Sequence, residues 1–516
     1  MDPQPVCRQF TCHGWHMSDP PYDSAFPASG PEHWLLLGVC GAGVSNLCHL
    51  LRAHHVLVTG SDSDAVRLQH WAETHRTQAP GSALRPLATM NWQQLDDCEL
   101  SRFSRIVHSV AIPDHLPLLA RGRSAGCRIQ SLPEALGDFC RGSTQVCVAG
   151  THGKTTTSGM LWWLLQNSGL ATGRYIGGEF QLSSQPAHAV RPTRMVLESC
   201  EYRDSFLTLS PELAILTGIE QDHLDWFAAP GAAEGSFEQF LSRLPTSGVC
   251  VVNADCPAAV TVAARVNRRI VGVGQAGQQG ADSAAGTWTY AALSDSGQPL
   301  SATGRLRQDV LLWHRSGEQV RVRLSVPGRH NAANAAMAVA AGVELGLSPS
   351  QAAAALADFP GMQRRLEHRG VWRGADFFDD YAHHPTAVEA VLSTLRSCFP
   401  GRRILAVFEP HQCSRLRGLM SAFAGALSLA DESYVLPALR VREMAAPEEA
   451  LGLSRQLVRL IRNGHGQAKI AADLDHVAVT LDHVVRPGDI VVTLGAGRTD
   501  TIHDQINRRI QRDSAA

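Results

Sequence analysis

Runs of consecutive apolar residues, each closed by glycine or a polar turn and followed by helix-spaced apolar positions, recur in three series along this chain. Residues 34–39, WLLLGV, read as a strand buried on both faces; it runs into Gly41 and Gly43 and then into a helical pattern through Leu47, Leu50 and Leu51. HVLVTGSD and RIVHSVAIP (105–113) continue the series as strands. A second series begins at QVCVAG, with a helix over 155–168 and strands in RMVLESCEY and ELAILTGIEQDHLD. Helices over 332–345 and in SPSQAAAALADF, the latter opened by Ser348 and Pro349, precede the break FPGMQRR. A third series places strands at RILAVF, ESYVLP and DIVVTLGAG. Strands alternating with helices predict an α/β chain with parallel, doubly wound sheets.

A chain of 516 residues exceeds what one hydrophobic core organises. The expected division is a flexible leader over 1–33, an N-terminal Rossmann-like domain over 34–142, a central P-loop ATPase-like parallel-sheet domain over 143–360 and a C-terminal Rossmann-like domain over 361–516. Residues 272–286, rich in Gly, Ala and Gln, read as a surface excursion within the central domain.

Composition narrows the function classes. With 44% apolar and 18% charged residues and a formal net charge of −2, nothing marks a polyanion-binding face, so no nucleic-acid partner is expected. No apolar run approaches the roughly 20 residues of a membrane span, and the first 33 residues lack a basic start and an apolar middle; the expectation is a cytoplasmic protein without membrane insertion, monomeric or homodimeric. The 13 cysteines contain no CxxC pair and read as scattered thiols. Cys7, Cys12, His13 and His16 carry zinc-ligand chemistry but sit in a Pro- and Ser-containing leader that reads as a loose tail.

Of the 46 Lys and Arg residues only Lys154 and Lys469 are lysine. Lysine is a compact point charge suited to a phosphate cradle, where the broad planar fork of arginine is no substitute. Lys154 lies in VAGTHGKTTT, which follows a strand and opens a helix, the order of a phosphate-binding loop. Gly150 and Gly153 are separated by two residues, not the usual four, so the loop is a short variant. Gly150, Thr151, His152, Gly153, Lys154, Thr155 and Thr156 form the predicted ATP cradle. Lys154 is expected on the β- and γ-phosphates and Thr155 on magnesium. Read bare, the stretch is a glycine turn with a surface lysine.

GTHGKTTT resembles the short phosphate loop of the Mur ligases, the ATP-dependent amide-forming enzymes of peptidoglycan precursor synthesis. LLLGVCGAGVSNL, SFLTLSPELAILTGIEQDHLDWF, VPGRHNAANAAMAV, DDYAHHPTAV and VFEPHQCSRLR follow in the order expected of the alanine-adding branch, and the resemblance covers about residues 34–497. It implies a ligase that uses ATP and Mg2+ to join L-alanine to the lactyl carboxylate of UDP-N-acetylmuramate through an acyl phosphate. It also implies Glu198 as a magnesium ligand, His223 as ligand to a second metal, and His330, Asn331 and Asn334 at the adenine. Capping and helix packing are the alternative reading of Asn331. Several relatives carry a carboxylated lysine between the two metals; with no lysine between 155 and 468, this chain cannot.

The first glycine turn, Gly38, Gly41, Gly43, departs from GxGxxG because position 46 is Asn46. Its residues alone leave a dehydrogenase, another nucleotide binder and a plain turn open. The resemblance makes Gly41, Ala42, Gly43, Ser45, Ser61, Asp62 and Ser109 the site of the UDP-sugar. In the third series it places Asp380 and a mobile Arg365 toward the nucleotide, Tyr381, His383, His411 and Arg415 in an amino-acid site with Arg415 as carboxylate clamp, and His384 in catalysis. A neutral His223 or His384 is the proton acceptor for the amine, and sequence does not choose between them. Gln412, Cys413 and Arg498 depart from the family pattern, whereas Arg417 matches it. Hinges are expected near 142 and 360, closing the domains over the acyl phosphate. The rival readings are an NAD-dependent oxidoreductase, a ligase adding a preformed peptide, a folate polyglutamylating enzyme and a non-catalytic homologue.

Overall fold

The computed structural model describes residues 32–76, 87–96, 99–181, 192–223, 225–227, 229–277, 286–293, 306–441, 443 and 445–506. The cysteines and histidines of the leader, and residues 278–285 of the expected excursion, lie outside them.

Three sheets carry the chain. The first holds β1 (His33–Leu37), β2 (Leu57–Asp62), β3 (Leu87–Asn91), β4 (Arg105–His108) and β5 (Arg128–Ser131), all parallel in the order β3-β2-β1-β4-β5. Its strand order reverses between β1 and β4, which places a ligand crevice at the carboxyl end of β1, where the glycine turn begins.

The second sheet holds β6 (Thr144–Ala149), β7 (Thr172–Tyr175), β8 (Arg194–Glu198), β9 (Leu213–Leu216), β10 (Val249–Asn253), β11 (Arg269–Gln275), β12 (Gly286–Ala292), β13 (Gln308–His314) and β14 (Gln319–Leu324). Their order is β14-β13-β12-β11-β10-β9-β6-β8-β7, parallel from β7 to β12 and antiparallel at β13 and β14. The helices Lys154–Asn167 and Arg329–Glu344 pack together on this sheet. The second is so rich in alanine that it presents little side-chain volume, and Ala335, Ala338 and Val339 join Val146, Val148, Met160 and Leu161 in one fully buried cluster. The excursion expected over 272–286 is corrected at both ends: residues 272–275 belong to β11 and residue 286 opens β12. The alternating glycines of RIVGVGQ dilute the apolar signal of a strand that is nonetheless buried along Val271–Gly274.

The third sheet holds β15 (Glu367–Trp372), β16 (Ala375–Asp380), β17 (Ile404–Phe408), β18 (Glu432–Val435), β19 (Ala468–Ile470) and β20 (Ile490–Leu494), in the order β15-β16-β20-β17-β18-β19. Only β15 is antiparallel to its neighbour. β17 and β20 are buried at every position, as central parallel strands must be when helices cover both faces.

The units touch closely. Tyr175 donates its hydroxyl to the Gly43 carbonyl (3.2 Å), so the edge of the second sheet sits on the first glycine turn. Phe359 and Met362 are fully buried in the core of the second sheet, and Gln181 N–H donates to Gly361 O (3.0 Å). The chain therefore stays attached to the second sheet through Met362 before entering the third. No helix among the described residues is long and apolar enough to cross a membrane.

Candidate active site

β6 ends at Ala149, and the loop 150–153 turns directly into the helix Lys154–Asn167. The turn demands glycine at both ends. Gly150 has φ +133°, and a Cβ there would meet Gly218 O at 2.8 Å and Gly218 N at 2.9 Å. Gly153, at φ +81°, would place a Cβ 2.7 Å from Asn334 Oδ1. The loop is held from below by the end of β9: Thr151 N–H donates to Gly218 O (2.9 Å), and the Thr217 hydroxyl donates to His152 O. The Gly150→Ala variant should lose about 2 kcal/mol or more, because left-handed strain and an unyielding backbone contact combine. A urea unfolding midpoint unchanged from wild type would refute this.

Lys154 Nζ lies 2.8 and 3.1 Å from the two Glu201 oxygens and 3.2 Å from Thr151 O. Burial works against the ammonium, but the Glu201 carboxylate overcomes it and holds the lysine above its ordinary pKa. Thr155 donates its hydroxyl to Glu198 Oε1 (2.8 Å) and receives Arg365 Nη2 (3.3 Å), while Glu198 Oε2 accepts from Gly177 N–H (2.5 Å). Two hard oxygens 2.8 Å apart match neighbouring ligands of an octahedral ion whose bonds are about 2.0–2.1 Å, so Thr155 and Glu198 fit magnesium. His223 has φ +51° and lies against Tyr202 with ring centroids 4.8 Å apart and planes tilted by 40°, its Nε2 3.7 Å from Glu201 Oε1. Burial lowers its pKa against the opposing pull of Asp222, leaving the imidazole neutral.

The third unit meets this loop. His384 Nδ1 lies 3.1 Å from His152 Nε2, and Thr386 donates to Glu220 Oε2 (2.7 Å). Arg415 Nε and Nη2 both donate to Asp222 Oδ1 (3.0 and 2.7 Å), and Nη1 lies 3.1 Å from His411 Nδ1. The guanidinium expected as a carboxylate clamp thus holds a carboxylate of the chain itself, Asp222. Burial would raise the Asp222 carboxyl, yet Arg415 and His223 beside it keep it well below the usual range. His383 Nδ1 lies 2.9 Å from Tyr381 O, and its ring stands edge-on to His411. Asp380 accepts from Leu366 and Ala382 N–H (2.7 and 2.8 Å), and burial raises its carboxyl to about 6 against the pull of Arg365. Arg365 also lies 5.2 Å over the Tyr381 ring and helps burial depress His330 to about 4.

Asn331 uses both ends of its amide internally, donating to Pro327 O (2.7 Å) and accepting from Asn334 Nδ2 (3.3 Å). Asn334 in turn abuts Gly153. Gln412 opens the helix Cys413–Gly418 at φ +71°, Cys413 is core, and Arg498 N–H donates to Glu409 Oε2 (3.1 Å). Arg417 pairs with Glu449 on the surface.

At the first glycine turn, Gly38 N–H donates to Ser61 O (2.8 Å), and Asp62 accepts from Cys40 and Asp64 N–H (3.2 and 3.3 Å). Ser61 Oγ is buried without a hydrogen-bond partner among the described residues. Ser45 accepts from Trp71 Nε1 (3.0 Å), and Ser109 packs over Gly38. The helix Ala42–Ala53 starts from Gly41 with no side-chain cap, so its first N–H groups face the crevice available to an anion.

Buried histidines set an acid limit on the fold. Burial holds His49, His330 and His384 near 4 and His503 near 3, against an ordinary 6.5. Below pH 6.5 the unfolded chain binds protons that these folded imidazoles refuse, so stability falls as pH drops from 6.5 toward 4. Asp380, raised to about 6 from 3.8, opposes the trend over part of that window. Glu212, Asp379 and Glu409 are raised as well, but His33, His223 and His383 are lowered alongside the four histidines above, so the imidazoles outweigh the carboxyls. The urea midpoint should decline steadily from pH 6.5 to 4; a flat or rising midpoint would contradict it.

Glu201, Glu220 and Asp222 escape a reading of the chain by itself. Glu201 stands three residues after Glu198 and Asp222 beside His223, and that spacing to better-marked neighbours was the one available signal. Their partners, Lys154, His152 and Arg415, are distant in sequence.

The family model for the Mur ligase middle domain matches residues 148–342, and that for the Mur ligase glutamate ligase domain matches residues 364–497. A UDP-N-acetylmuramate–L-alanine ligase of Kineococcus radiotolerans is 35% identical over 477 residues, covering 91% of this chain and 94% of its own. One from Mycolicibacterium smegmatis is 34% identical over 91% of this chain and 93% of its own. In fold, the UDP-N-acetylmuramate–alanine ligase structure from Thermotoga maritima matches at a TM-score of 0.72, with 21% identity, 93% of this chain and 99% of that one. A murein peptide ligase from Psychrobacter arcticus matches at 0.63, with 24% identity, 92% of this chain and 98% of that one. The chain belongs to the Mur ligase family.

Proposed function

We propose that this ligase joins L-alanine to the lactyl carboxylate of UDP-N-acetylmuramate with ATP, forming the amide, ADP and inorganic phosphate. The observation that carries the reading is the gathering of Lys154, Thr155, Glu198 and Arg365 around one phosphate loop, in a chain over a third identical to a ligase of that name along nine-tenths of its length.

A carboxylate resists attack by an amine because its leaving group is poor. Transfer of the γ-phosphoryl group to the lactyl oxygen breaks the bond to ADP and gives an acyl phosphate. Lys154 and the helix N-terminus beneath it stabilise the charge spread over the transferring oxygens. Thr155 and Glu198 would hold magnesium, with His223 as donor to a second ion, and the metal would supply further positive charge to the phosphates. Arg365, on Thr155, brings the third unit to the same place. The amine of alanine then attacks the acyl carbon, its proton passes to a neutral imidazole, His223 or His384, and the tetrahedral adduct expels phosphate. The crevice of Gly41, Ala42, Gly43, Ser61 and Asp62 is assigned to the UDP moiety. His383, His411 and Tyr381 line the approach assigned to alanine, with Arg415 available to its carboxylate only if Asp222 is exchanged.

Purified protein given ATP, magnesium and UDP-N-acetylmuramate should release ADP on addition of L-alanine and yield a sugar nucleotide heavier by one alanyl residue. Product formed only with a preformed peptide would transfer the reading to a peptide-adding ligase, and nicotinamide oxidation would replace it altogether.

A further inference from the structure

Three side chains meet where the phosphate loop faces the third sheet; amide formation calls on at most one of them, His384 as one of two candidate proton acceptors, a role that metal binding at its Nδ1 would leave to His223. His152 comes from the loop itself, Glu220 from the turn after β9, and His384 from the residue that opens the helix Pro385–Cys398. One ligand atom from each lies within 4.8 Å of the other two. His152 Nε2 stands 3.1 Å from His384 Nδ1 and 3.5 Å from Glu220 Oε2. Ligands bound tetrahedrally about 2.0–2.1 Å from one ion are separated by about 3.3–3.5 Å, so both separations from His152 already stand near coordination spacing.

The hydrogens support an ion rather than a proton at the centre. His384 Nε2 faces Gln221 O at 3.3 Å, and a carbonyl only accepts, so that nitrogen carries the hydrogen and Nδ1 presents a bare lone pair. His152 Nε2 can offer a single N–H to two acceptors, His384 Nδ1 and Glu220 Oε2. Burial and the neighbouring His152 hold His384 near 4, and the hydrogen bond from His152 holds the Glu220 carboxyl near 2, so these two groups carry no ionising proton at neutral pH. Outer contacts orient two of them: Gln221 O on His384 and the Thr386 hydroxyl on Glu220.

We propose that His152, Glu220 and His384 form a site for one divalent transition-metal ion of the zinc class, separate from the magnesium ligands Thr155 and Glu198. Two imidazoles and one carboxylate leave a fourth position open, and imidazole favours zinc, cobalt, nickel or copper over magnesium. Because His152 and Glu220 belong to the second unit and His384 to the third, the bound ion ties the two together across the phosphate loop.

The test uses the full chain, stripped of metal by a chelator and kept in saturating magnesium while Co2+ is added. One equivalent should bind with the intense visible absorption of a low-coordinate cobalt site, Zn2+ should displace it, and stoichiometric Zn2+ should raise the thermal midpoint. His152→Ala and His384→Ala should each weaken Co2+ binding at least about 10-fold, since loss of even an outer partner costs that much. Glu220→Gln keeps the size of a half-exposed side chain and carries the comparison should a histidine variant fail to fold. Absorption that is missing in the wild type, or that persists undiminished in the variants, overturns the site.

Discussion

Lys154→Met is expected to lower ATP-dependent amide formation by about 10²–10³-fold, the usual consequence of removing one preorganised charge from a developing anion. The same change should weaken the fold. Glu201, with a side chain 3% exposed, would lose its cation, and breaking a buried pair on one side costs about 3–5 kcal/mol. Two effects of one substitution are separable. Lys154→Met combined with Glu201→Gln removes the stranded charge and should recover much of the lost stability while remaining inactive. Lys154→Arg should not rescue turnover, because a planar fork cannot occupy the point between Thr151 O and both Glu201 oxygens. Urea unfolding and ADP release measured on the same preparations decide the matter; wild-type turnover in the single variant would end the assignment of Lys154.

Glu198→Ala should be nearly as damaging, by a different route. The carboxylate receives the Thr155 hydroxyl on one oxygen and Gly177 N–H on the other, so its removal frees both the proposed metal ligand and the loop opposite. Loss of a direct ligand should exceed the 10–100-fold cost of losing an outer one, so turnover is expected to fall by about 10²-fold or more. A magnesium titration distinguishes the cause. If Glu198 holds the ion, the variant needs more magnesium for half its residual rate; an unchanged requirement with reduced turnover would make Glu198 a support for Thr155 instead.

Much of this architecture was written in local pattern. WLLLGV, QVCVAG and RILAVF are apolar along almost their whole length because strands with helices on both faces have no polar side, and each lies between two other strands of its sheet. The antiparallel end of the second sheet was harder to see. β11, which leads into it, carries glycines where a strand signal needs side chains, and β14 carries two arginines on an exposed face.

Side-chain chemistry divides in the same way. Gly150, Gly153, Lys154 and Thr155 lie within a few residues of one another, and the chain order alone placed them on one strand-to-helix turn. What each charged group answers to was settled only by folding: Glu201 for Lys154, Asp222 for Arg415, His384 for His152, pairs separated by 47, 193 and 232 positions. A periodic apolar pattern reports which face of an element is buried and is blind to what lies across the cleft. Electrostatic partnership is a property of distance through space, so it exists only once three sheets have brought their carboxyl ends together.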